Sequence, residues 1–187
     1  MQAVQVWISL LMLAGLSGCT VVPVAQDQST HGAACIGTTR LPDALAGAFT
    51  AVEDTALLQS ALGAPDDGKL CQGQAYELRP AARVRVFRAF NSTNPNSRLG
   101  RWWVFDKPAG PVASYRARYE ICYQWSALDK LVQCTLKPGA RIVLGTGQSA
   151  RCSEFLTYPV SEAQQIYVAE PAAVENCRDF EGVFSWQ

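Results

Sequence analysis

The sequence predicts a mixed α+β domain stapled by disulfides, and three observations predict it. Short β-favouring segments alternate with turns and a few helical stretches, without the strand-helix-strand rhythm that builds a parallel sheet. Six of the seven cysteines remain once an export motif claims the first. A chain of 187 residues is long enough for one domain with a real core and short for two.

Residues 1–18 read as a lipoprotein signal peptide. The apolar run from Val6 to Leu16 ends in Leu16-Ser17-Gly18-Cys19, the small-residue pattern that is cut before an acylated cysteine. The run falls short of the roughly 20 apolar residues that a membrane span needs. Several acyl chains on Cys19, at about 0.8 kcal/mol per buried methylene, would hold the protein to a membrane. Thr20 rather than Asp follows the cysteine, which resembles lipoproteins sorted to the bacterial outer membrane. The expected location is therefore the outer membrane, facing the periplasm or the cell surface. Residues 19–39 are small and polar without periodicity, as suits a lipidated tether.

The globular part is assigned to residues 40–187. Pro42 opens a helix on which Leu45, Phe49 and Val52 recur at helical spacing. A second short helix covers Glu53 to Leu62, ending at Gly63, and Ala64-Pro65-Asp66-Asp67-Gly68 forms a turn. Strands follow over Gln74 to Leu78 and Val84 to Phe90, both rich in β-favouring residues. After the polar loop Asn91 to Ser97 comes Leu99-Gly100-Arg101-Trp102-Trp103-Val104-Phe105. Pro111 then starts a helix that runs through Tyr119. Later strands are expected at Leu131 to Leu136, Arg141 to Leu144 and Gln165 to Val168.

In an exported chain Cys35, Cys71, Cys122, Cys134, Cys152 and Cys177 are expected to form three disulfides. Sequence alone leaves the pairing open, and closeness along the chain favours Cys122 with Cys134. No Cys-x-x-Cys pair occurs and the one histidine, His31, lies in the tether, so a zinc site is not expected. The same lone histidine leaves no Ser/His/Asp triad to build. Sixteen basic and sixteen acidic residues cancel without runs of like charge, which argues against a nucleic-acid partner. No tightly bound cofactor is implied.

One ordered set of segments carries chemistry. Val86-Phe87-Arg88 puts an arginine at a strand end, Gly100-Arg101-Trp102-Trp103 follows, and Tyr115 lies on a helix. Then come Val143-Leu144-Gly145-Thr146-Gly147-Gln148-Ser149 and Gln164-Gln165-Ile166-Tyr167-Val168. From about Lys69 to Val168 this order resembles the ADP-ribosyltransferase fold and related bacterial NAD-cleaving domains. The resemblance implies short-stranded sheets with flanking helices and NAD as substrate. It implies Arg88 and Gln165 as catalytic residues, and Arg88, Trp102, Trp103, Tyr115 and Ser149 as the groups that bind the dinucleotide. Arg88 would pair with phosphate or ribose oxygens and the aromatic rings would stack on nicotinamide. Gln165 stands where transferases of this fold have Glu. Secreted NAD glycohydrolases are similar in using Gln there, so hydrolysis is implied beside transfer. Glu162 is the nearest acid along the chain that could replace the missing charge.

Plainer roles compete with each of these. Trp102 and Trp103 point to opposite faces of a strand, so at least one belongs to core or rim. Arg88 and Gln165 also suit surface positions on strands, and the Gly145 segment suits a turn. The rival function is a non-catalytic envelope lipoprotein that binds a protein or cell-wall partner. Convergence of Arg88, an aromatic ring and Gln165 on one concavity would favour the NAD reading. Exposed aromatics on a face away from it would favour the rival.

Overall fold

A computed structural model describes residues 34–180. The expected signal peptide, Cys19 and His31 lie outside the described residues. Among the described residues, no helix is long and apolar enough to cross a membrane.

The architecture is two antiparallel sheets with a few short helices. Strands β1 (Phe49–Ala51), β2 (Leu70–Leu78), β6 (Arg141–Gly147), β9 (Gln164–Tyr167) and β4 (Trp102–Trp103) form a five-stranded sheet in the order β1-β2-β6-β9-β4. Strands β10 (Val174–Asp179), β5 (Lys130–Leu136) and β3 (Arg85–Phe90) form a three-stranded sheet in that order. A small ribbon pairs β7 (Ala150–Arg151) with β8 (Thr157–Tyr158). Helices α1 (Asp43–Ala46), α2 (Thr55–Ala61) and α3 (Val112–Arg118) connect them.

Alternation explains the main core. Val84, Val86 and Phe90 from one sheet meet Leu78, Ile142, Leu144 and Ile166 from the other, with Val132, Leu136 and Trp103 filling the space between. The opposite face of the five-stranded sheet is covered by α2, where Leu57, Leu58 and Ala61 pack on Leu70, Val143 and Tyr167. Strand β6 is thus buried on both faces, which is why Ile142-Val143-Leu144 is continuously apolar.

The two sheets are stitched at one seam. Trp102 and Trp103 pair with Tyr167 and Ile166, while the next residue, Val104, crosses to exchange backbone hydrogen bonds of 2.8 and 2.9 Å with Phe87 of β3. As strand geometry requires, Trp103 enters the main core and Trp102 the opposite face.

Three sequence expectations need correction. The helix after Pro42 stops at Ala46, and Phe49 lies in β1, paired with Leu78. Phe49 and Val52 share spacing with Leu45, yet the strand pairing with β2 outweighs what a four-residue helix could gain. The segment Gly145-Thr146-Gly147 is the end of buried strand β6 and not a glycine turn.

The third correction concerns disulfide pairing. The three bridges are Cys35–Cys71, Cys122–Cys152 and Cys134–Cys177. Cys134 lies on β5 with Cys177 beside it on the bulged edge of β10, so its partner comes from the neighbouring strand. Cys122 sits in a separate small cluster with Ala150 and Cys152.

Candidate functional site

The seam between the sheets holds a cavity of about 310 Å³ whose walls include Arg88, Trp102, Glu120, Trp125 and Gln165, with Lys69 at an exposed edge. Three of the sequence-derived residues therefore meet: Arg88 from β3, Trp102 from β4 and Gln165 from β9. Trp102 stacks edge-on to Tyr167, with ring centroids 4.9 Å apart.

Arg88 is the first group whose environment differs from a surface arginine. Its Nε donates to the Ser97 carbonyl at 2.7 Å and its Nη1 to the Trp102 carbonyl at 2.8 Å. A side chain at Gly100 would overlap the guanidinium, so glycine there lets the loop backbone close onto it. No carboxylate among the described residues forms an ion pair with it. Burial lowers its pKa to about 10, which still leaves it charged at neutral pH. Part of the guanidinium therefore clamps the loop, and its positive charge lacks a protein anion.

Gln165 is 7 % exposed, and its Nε2 donates at 3.1 Å to Oε2 of Glu120, itself 1 % exposed. Glu120 follows α3 with a left-handed backbone, φ 48°, which turns its side chain back under the sheet. There it lies against Gly147, where any Cβ would overlap Oε2. The Ser161 hydroxyl donates its single proton to the Arg118 carbonyl at 2.9 Å, and Glu120 Oε1 is buried without a hydrogen-bond partner. Burial pushes the Glu120 carboxyl up to about 8, against the opposing influence of Ser161 and Gln165. Glu120 is therefore mostly uncharged at neutral pH.

The remaining expected residues lie elsewhere. Trp103, Tyr115 and Ser149 do not line the cavity. Trp103 is core, its indole N–H donating to the Gly100 carbonyl at 2.7 Å. Tyr115 is buried with Ala89 and Leu128 behind the cavity wall, its ring 4.7 Å from that of Tyr119. Ser149 fastens the turn before β2, its Oγ accepting from the Asp66 backbone N–H at 2.9 Å. Glu162 is exposed in a different, larger groove of about 910 Å³ that has no buried polar side chain in its walls. Among the described residues, buried Glu120 and Gln165 meet in the wall of the smaller cavity, which makes it the candidate site.

Sequence reading missed Glu120, Trp125 and the cavity's outer wall. Arg116 knits that wall together: its guanidinium donates to the carbonyls of Ile121, Cys122, Ser126 and Ala127, the shortest at 2.6 Å to Ser126. One signal for Glu120 was present, an acid inside the apolar stretch Tyr119-Glu120-Ile121-Cys122. Another was Gly147, since glycine within a strand marks a close approach. The chain matches no protein-family model, no curated protein and no solved structure.

Proposed function

We propose that this protein is an exported, lipid-anchored binder of an NAD-like ligand, with an ADP-ribosyltransferase-like cavity that retains the binding groups and lacks the charge for efficient cleavage. The observation that supports this reading is the meeting of Arg88, Trp102 and Gln165, distant in sequence, on one cavity. An aromatic ring beside a half-buried cation with no ion-pair partner among the described residues suits a ligand that combines a flat ring with an anionic group. Pyridine nucleotides have both. The cavity's volume fits the nicotinamide end, with the remainder of the dinucleotide reaching past Lys69.

Binding is favoured over cleavage by electrostatics. Breaking the nicotinamide bond builds positive charge on the ribose, and fixed negative charge is what lowers that barrier. Here burial raises the acid in the cavity wall, Glu120, to about 8, so it is mostly uncharged at pH 7, and the half-buried charge at Arg88 is positive. Titration of the purified full-length protein with NAD by calorimetry, with nicotinamide release followed in parallel, tests the reading. Saturable binding with little release at pH 7 is expected. Absence of binding at millimolar NAD would overturn it.

One observation favours the rival, an envelope-binding scaffold. Tyr123 and Phe155 are 59 % and 90 % exposed and flank the Cys122–Cys152 bridge. In that case loss of both side chains would release a captured envelope component while NAD titration stayed flat.

A further inference from the structure

Two buried groups in this cavity have hydrogen-bonding capacity that the protein leaves unused. Glu120 is buried, forms no ion pair among the described residues, and has one side-chain hydrogen bond, accepted at Oε2 from Gln165 Nε2. In a neutral carboxyl the oxygen that accepts is the carbonyl oxygen, so the hydroxyl falls on Oε1, which is buried and makes no hydrogen bond. A buried donor left unmade is costly, on the order of 1–3 kcal/mol. Gln165, with its amide nitrogen bonded to Glu120, has its Oε1 left as an acceptor, and no donor in the described residues is bonded to it. The two side chains therefore stand side by side in the wall of a cavity that Ile121, Leu128 and Trp102 also line, with Glu120 Oε1 enclosed behind Gln165.

Register shows that this arrangement is built. Gln165 is paired with Gly145 across the β6–β9 ladder, so Gly145, Gly147 and Gln165 share one face of the sheet. The absence of a Cβ at 147 is what opens the space filled by the Glu120 carboxyl.

We propose that Glu120 and Gln165 together read an uncharged carboxamide on a flat ring, Gln165 Oε1 accepting from the amide N–H and the Glu120 hydroxyl, enclosed until the ring enters, shifting to donate to the amide oxygen. The pair is complementary to an amide edge in the way two amides are complementary to each other. A carboxylate in the same place would offer no donor to Gln165 and would set one of its acceptor oxygens against Gln165 Oε1. This assignment deepens the NAD reading, since nicotinamide is such a ring, but it rests on the donor–acceptor pair and also holds for other aromatic amides.

The test is a binding panel on the full-length protein at pH 6.5: nicotinamide and benzamide against nicotinate and benzoate, and NAD against its nicotinate analogue. Amides should bind about tenfold or more tightly than the matching acids. Glu120→Gln replaces the hydroxyl donor by an amide N–H and should retain the preference. Glu120→Leu and Gln165→Leu should abolish it, with circular dichroism used to confirm that each variant is folded. Equal binding of amides and acids, tighter binding of the acids, or no binding of any ring compound would overturn the proposal, and the wild-type panel decides this even if a variant misfolds. Preference among the small rings without NAD binding would sustain the amide reader and sink the dinucleotide reading. NAD binding without amide preference would do the reverse.

Discussion

At the scale of single residues, Glu120 dominates what can be predicted. Its ordinary value is 4.5 and burial raises it to about 8 in the fold, where Ser161, Gln165 and the phenol of Tyr119 are the polar groups that face it. Between those values the folded protein holds a proton that the unfolded chain releases. Stability from this group is therefore unchanged below about pH 4.5 and falls as pH rises toward 8, at most by about 1.4 kcal/mol per pH unit. Chemical denaturation at pH 5, 7 and 9 should show the decline, and Glu120→Gln should flatten it. Equal slopes for both proteins would mean that the carboxyl is solvated. Gly147→Ala gives an independent check, because a methyl there meets the carboxyl. It should destabilise by about 1–3 kcal/mol, the usual result of overpacking, and weaken ring-amide binding at the same time. Gln165→Glu would place a second carboxyl in contact with Glu120, and a pair of carboxyls that shares one proton ionises only once. The dyad would then carry the negative charge that the wild type lacks. Nicotinamide release from NAD, slow in the wild type, is expected to rise in this variant.

At the scale of elements, Arg88 changes role between sequence and structure. A strand-end arginine reads as a ligand group whose removal leaves the fold alone, whereas here it ties the 91–102 loop to β3 through the Ser97 and Trp102 carbonyls. Arg88→Ala leaves both carbonyls without that partner, so it should lower stability by about 1–3 kcal/mol or more as well as weaken anion binding. Arg88→Lys, unable to bridge both carbonyls, should recover little of either. Thermal unfolding of the two variants distinguishes this from a purely ligand-binding arginine, for which stability would not move. The same contrast explains how much of the molecule was legible. Helices α2 and α3 and strands β3, β5 and β9 follow from caps, prolines and alternation, all of them local signals. Strand β1 was hidden because Phe49 and Val52 also fit a helical spacing and are fixed by pairing with a distant strand. Strand β10 carries Glu175, Asn176, Arg178 and Asp179, too polar to alternate, and is held by its ladder to β5 and by the Cys134–Cys177 bridge. For the site, Arg88, Trp102 and Gln165 were legible from their order along the chain. Glu120 was not, since its burial depends on a missing Cβ at Gly147, contributed by another strand.

At the scale of the whole molecule, the disulfides divide the work between holding the fold and holding the cavity. Cys134–Cys177 lies between adjacent strands of the three-stranded sheet, with its sulfurs against the main core. Cys35–Cys71 ties the segment before α1 to β2. Cys122–Cys152 belongs to neither sheet: it fastens the cavity wall formed by Ile121, Trp125, Ser126 and Leu128, which otherwise hangs on Arg116 and on the bond of 2.9 Å from Gln124 to the Cys152 carbonyl. Removing any one bridge should cost about 2–5 kcal/mol. The consequences should nevertheless differ in kind. Replacing Cys122 and Cys152 together by Ala is expected to lower stability within that range, to leave the far-ultraviolet dichroism of the sheets intact, and to abolish ring-amide binding because the wall no longer closes over Trp102 and Gln165. The same replacement at Cys134 and Cys177 should lower stability comparably while the remaining folded protein keeps its affinity, since no cavity residue lies beside that bridge. Calorimetric titration of both double variants with nicotinamide, each checked for its folded fraction, compares the two bridges directly. Equal loss of affinity in both, or none in either, would show that the wall is positioned by packing and Arg116 rather than by the covalent link.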